Sequence, residues 1–190
     1  MRLIHWAAEG RLWPRPAAGV ALLAGALAGV AAALHLPPAE RGALASHVLA
    51  YAAARGQGRG SVFGPALAGW LRVAAPVWVA GMWTGAGLAL VLGALLLHGF
   101  SLGFSLCVAA AGGWSGLGAG LAAVLPGNLL ALPALWWLGA RALDLAASRR
   151  GGARGVPAPY LQVGAAVLLL VTCSSLAEAA LAPWLLRWAG

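Results

Sequence analysis

Apolar residues run along this chain in long blocks, and polar residues gather in the shorter stretches between them. Residues 17–36 hold no Arg, Asp or Glu and have the ~20 residues that a spanning helix needs. Pro37 and Pro38 close that block, because a proline in a helix interior loses a hydrogen bond and clashes with the preceding turn. The segment 37–65 is the most polar, with Glu40, Arg41, His47, Arg55, Gln57 and Arg59. Within it, Leu44, Val48, Leu49 and Tyr51 fall at helical spacing and predict a short interfacial helix. His47 has no His or carboxylate three or four residues on and reads as an exposed interfacial side chain. The run from Ala66 to His98 is too long for one upright crossing at ~1.5 Å per residue. Arg72 and Pro76 place its first part at the interface, leaving a span near 77–98. His98-Gly99 reads as a tight turn into a span near 100–124. Further spans are expected near 128–145 and 160–182, the last closed by an interfacial end of Pro183, Trp184, Arg187 and Trp188. The pattern predicts an all-α polytopic bundle of about five spans.

One apolar stretch breaks the usual rules. Leu121 to Leu138 carries no charge, yet it holds Pro126, Gly127, Asn128 and Pro133. Two prolines and a glycine disfavour a plain helix, and an amide in hydrocarbon must find a partner. The L-P-G-N motif therefore predicts a broken helix or a tight turn, with Asn128 capping a new helix start. Small residues recur elsewhere at four-residue steps: Gly25 with Gly29, Gly81 with Gly85, and Gly112, Gly116 and Gly120. Such faces let helix backbones approach closely in lipid. A bend near Gly112-Gly113 is an equal reading of the last set.

Composition then fixes the solvent. The 190 residues are 62% hydrophobic and 8% charged, against roughly 25% charged in a soluble domain, so the chain cannot cover its surface with polar groups. Arginine supplies all twelve basic residues and the formal net charge is +8. The arginines sit at the ends of apolar runs rather than in a stripe, which fits anionic lipid headgroups and gives no sign of nucleic acid. Residues 1–16 hold Arg2, Arg11 and Arg15 against Glu9, flanked by Trp6 and Trp13, and read as a cytoplasmic amphipathic lead. That places Arg141, Arg149, Arg150 and Arg154 inside as well, leaves Arg41, Arg55, Arg59 and Arg187 outside, and sends the C-terminus out. Cys107 and Cys173 lie in apolar runs and read as small buried hydrophobes. No metal-ligand spacing and no cofactor motif occurs.

The intramembrane polar residues are few. Glu178 lies in S-S-L-A-E-A-A-L-A-P, with Ser174 four and Ser175 three residues before it, on or near its helical face. One reading pairs Glu178 with Asn128 and docks the last span on the broken stretch, or on a partner's helix. The other leaves Glu178 at the outer interface, reaching water.

Taken together, V-L-P-G-N-L-L-A-L-P-A, the later S-S-L-A-E-A-A-L-A-P-W-L-L-R-W and the H-G-F-S-L-G-F stretch resemble the stage II sporulation protein M family. The blocks occur in that family's order and cover most of the chain from Val77 onward. The resemblance implies an integral membrane component of the engulfment machinery of endospore-forming bacteria. It implies a non-enzymatic scaffold for the peptidoglycan-degrading stage II sporulation proteins D and P, at the septal and engulfing membrane of the mother cell. The residues agree on chemistry, since no Ser/His/Asp set, paired carboxylates or phosphate loop is present. A small transporter or permease subunit is the alternative class, because broken helices with polar residues at mid-depth suit one. Membrane lipids are expected partners, and a second copy of the chain is a further candidate. Pro126, Asn128, Pro133, Ser174, Ser175, Glu178 and Pro183 are the candidate structural and docking residues.

Overall fold

The computed structural model describes residues 14–55, 59–83, 86–152 and 155–189. They form six helices: α1 (Pro14–His35), α2 (Pro38–Arg55), α3 (Arg59–Gly81), α4 (Gly87–Ala110), α5 (Gly113–Arg150) and α6 (Ala158–Ala189). No strand occurs among the described residues. Five helices, all but α2, are long and apolar enough to cross a membrane. Large apolar side chains such as Leu23, Leu27, Leu97, Leu129 and Leu169 are exposed on the flanks of the bundle, which suits lipid as the surrounding solvent. The protein is a multi-pass helical membrane protein. Residues 1–13 of the basic lead expected at 1–16, with Trp6, Trp13, Arg2 and Arg11, lie outside the described residues, as do Gly85 and Arg154, and residues 14–16 belong to α1.

Helix starts follow local chemistry. α1 and α2 begin on Pro14 and Pro38, and Pro159 is the second residue of α6, where a missing N–H leaves no bond unmade. The guanidinium of Arg41 donates to the carbonyls of Leu34 (2.5 Å) and Leu36 (3.0 Å), so α2 supplies the cap that the end of α1 lacks.

The span expected near 77–98 is divided, since α3 ends at Gly81 and α4 begins at Gly87, and three further boundaries differ from the sequence-based expectation. The first concerns α3, which spans from about residue 62 and carries Pro65 and Pro76 in its interior. Arg72 therefore lies ten residues after Val62 and nine before Gly81, near mid-depth rather than at the interface. The second concerns His98 and Gly99, which lie inside α4 instead of forming a turn. The turn falls at Ala111-Gly112, where the amides of both bond back to Val108 (3.1 Å) and Ala109 (3.0 Å), and Gly113 takes a φ of 74°. Only glycine adopts that left-handed conformation without strain. The third concerns the L-P-G-N stretch, which is helical throughout α5, with Pro126 and Pro133 both inside it. Breaking the helix there would expose several backbone groups to hydrocarbon, each costing on the order of several kcal/mol, whereas a proline removes one N–H. α5 is thus about 57 Å long at ~1.5 Å per residue, and its basic end from Arg141 to Arg150 runs past the roughly 30 Å hydrocarbon layer. Likewise Pro183 is buried inside α6 and does not end it.

The tightest helix contact joins α1 and α4. A Cβ added at Gly25 or Gly29 would strike the backbone of Leu96, Phe100 or Phe104. In return, one added at Gly99 or Gly103 would strike the backbone of Leu22 or Ala26. The contacts advance together along both helices, so α1 and α4 run parallel. The main core gathers Trp70, Val77, Val91, Leu95, Leu135, Leu138 and Leu143 from α3, α4 and α5 with Val167 and Val171 of α6.

Candidate functional site

At the α2 end of the bundle a cleft of about 600 Å³ opens between α3, α4, α5 and α6. It collects polar side chains from four spanning helices: Arg72 from α3, His98 and Ser105 from α4, Asn128 from α5 and Glu178 from α6. The turn between α4 and α5 and the antiparallel packing of α5 on α6 bring them together from over a hundred residues of chain. Glu178 is 6% exposed, and Ser174 and Ser175 are fully buried. Glu178 is packed between helices, against Gly127 of α5, rather than exposed on the surface of the bundle. A buried carboxylate is expensive in hydrocarbon and requires surrounding polar groups.

The contact that holds α6 to α5 runs through Gly127. Its missing side chain leaves the space that the Glu178 carboxylate occupies, and the Ser174 hydroxyl donates to its carbonyl. Ser175 instead donates to the Val171 carbonyl in its own helix (2.9 Å). Asn128 does not cap a helix start. Its side-chain N–H donates to the Val124 carbonyl one turn back (2.7 Å), and its Oδ1 is buried without a partner. Asn128 and Glu178 line one cleft, but the docking bond is made by Ser174. Pro126 is buried beside this contact, while Pro133 is exposed.

His98 packs its ring against Trp70, with centroids 5.0 Å apart, and its Nε2 is buried without a hydrogen bond. Arg72 is exposed on the cleft's rim. Neither residue stood out in the sequence. Arg72 was legible only as interfacial, and His98 only as a turn, because the boundaries of α3 and α4 set their depth. His47 is exposed, as its lack of partners at helical spacing predicts.

The opposite end of the bundle is latched. The Tyr160 hydroxyl donates to the Trp78 carbonyl (2.6 Å), and the two rings stack at 6.5 Å. Arg149 donates to the Met82 carbonyl, tying the end of α5 to the end of α3. Cys107 is half-buried and Cys173 is exposed, so the expectation of two buried thiols fails for Cys173, whose side of α6 faces outward. Among the described residues no group of three His, Cys, Asp or Glu could hold a metal ion.

Comparison of the chain with known protein families, with characterised proteins and with solved structures gave no match.

Proposed function

We propose that this protein is a non-enzymatic membrane scaffold of the stage II sporulation protein M type, which holds peptidoglycan-degrading partners at the septal and engulfing membrane of the mother cell. One observation carries the reading. Two of the three blocks on which the resemblance rests, around Gly127 and around Glu178, meet in one contact: Ser174 bonds to Gly127, and Glu178 fills the space beside it. A motif pair that is fifty residues apart and yet interlocks is a unit of the fold, as a family signature should be. The orientation proposed is N-terminus cytoplasmic, with Arg141, Arg149 and Arg150 on the same side. The partners proposed are the stage II sporulation proteins D and P.

The test is co-purification. Full-length tagged protein, co-produced with stage II sporulation proteins D and P, should recover both from detergent extracts. Their absence, with the scaffold itself folded and inserted, would overturn the reading. A second reading, a small transporter or permease subunit, draws on the polar cleft between the spanning helices. Solute flux in proteoliposomes would favour it.

A further inference from the structure

The cleft has a charge layout that scaffolding does not require. Arg72 stands on its rim near mid-span, and Glu178 lies on its α6 wall. An arginine exposed at that depth is costly unless it meets water or an anion. Between these two side chains lie further hydrogen-bonding groups. Asn128 gives one of its two amide N–H groups to the Val124 carbonyl, and its Oδ1, an acceptor, is buried without a partner. Glu178 is engaged within the protein, but a carboxylate has about four lone-pair directions and still presents acceptor character to the cleft. His98 Nε2 is buried and unpartnered beside Trp70. The rim residues Gly69 and Arg72 on α3 and Ser101 on α4 are exposed and lie within spanning helices, so the mouth opens on the flank of the bundle.

We propose that this cleft binds a zwitterion of the phosphoethanolamine kind. Its phosphate sits against Arg72 at the rim, and its primary ammonium turns inward to Asn128 Oδ1 and the Glu178 carboxylate. Arginine matches phosphate oxygens with a planar pair of donors. The ammonium has three N–H donors and meets acceptors. The volume of about 600 Å³ accommodates such a headgroup. The same chemistry is available from an ethanolamine phospholipid entering from the flank or from the free headgroup in water.

The test uses the full-length protein, reconstituted in vesicles of equal phosphatidylethanolamine and phosphatidylglycerol, then extracted gently and weighed by native mass spectrometry. These two lipids share the phosphate and differ in the ammonium. Retention of the ethanolamine lipid should exceed that of the glycerol lipid about tenfold, and Arg72→Gln should lower it about tenfold. Glu178→Gln should reduce the preference between the two lipids. Because Glu178 is buried and its replacement can disturb folding, Arg72→Gln on the exposed rim is the deciding variant. Competition by soluble phosphoethanolamine would assign the cleft to a solute open to water. Retained lipid without such competition would assign it to the bilayer's own headgroup. Equal retention of the two lipids, or an Arg72→Gln variant that binds like the parent protein, would overturn the proposal. Partner recovery plays no part in this readout, so the scaffold reading can fail or stand separately.

Discussion

The α1–α4 seam and the α5–α6 contact both depend on glycine, but for opposite ends. In the seam, Gly25, Gly29, Gly99 and Gly103 remove side chains so that two backbones meet, and nothing polar lies between them beyond the peptide groups. In the α5–α6 contact, Gly127 removes a side chain so that a carboxylate can enter. Lipid offers no hydrophobic force between helices, so the seam must gain its stability from close van der Waals contact. The other contact trades some of that packing for a polar group at depth, which is a feature of a site rather than of a scaffold seam. The difference teaches that a glycine in a spanning helix has two uses, and that sequence spacing alone does not tell them apart.

Four tests sharpen the contrast. The largest effect is expected from Gly103→Leu, because even its Cβ would land on the backbone of Ala26 and two helices would have to separate. A loss of about 3 kcal/mol or more is expected, with poor recovery of monodisperse protein on size exclusion in detergent. Near-normal recovery would show that the seam is looser than described.

Gly127→Leu should be less severe, at about 2 kcal/mol, because the clash is with a side chain that can move. Pairing it with Glu178→Ala should restore part of the loss. A double-mutant cycle on thermal unfolding should give a coupling of about 1 kcal/mol, and strict additivity would deny the contact.

Ser174→Ala removes the bond to the Gly127 carbonyl and should lower stability by roughly 0.6–1 kcal/mol, which is about 2–4 °C in Tm for a chain of this size. No shift at all would mean that packing alone holds α6 to α5.

The smallest effect belongs to Asn128. Its N–H bonds a carbonyl one turn back in its own helix, so Asn128→Leu and Asn128→Ser should both unfold within about 0.5 kcal/mol of the parent protein. A Leu variant much weaker than the Ser variant would restore a capping role at a break in α5.

Much of this architecture follows from sequence alone. Apolar blocks about as long as a bilayer is thick predict a multi-pass helical bundle, and the count of about five spans agrees with the five helices able to cross, although the spans expected near 77–98 and 100–124 each straddle a connection between two of those helices. The C-terminal end of α1 was legible because Pro37 and Pro38 act locally. The closeness of Ser174, Ser175 and Glu178 was legible because helical spacing places them on or near one face. What tertiary structure decided was depth and partnership. Where a bilayer surrounds the chain, prolines such as Pro76, Pro126, Pro133 and Pro183 stay inside helices, because leaving the helix strands more backbone groups than the proline does. The strongest local breaker in the sequence was therefore the least reliable, and the true turn fell at Ala111-Gly112, before the positive-φ Gly113. That shift carried His98 into the middle of α4, the earlier start of α3 carried Arg72 from the interface into a span, and only then did they share a cleft with Asn128 and Glu178. Hydropathy measures how well a segment suits lipid, a property of residues taken singly. Which polar residues meet inside depends on helix register and pairing, which arise from contacts between segments far apart in the chain.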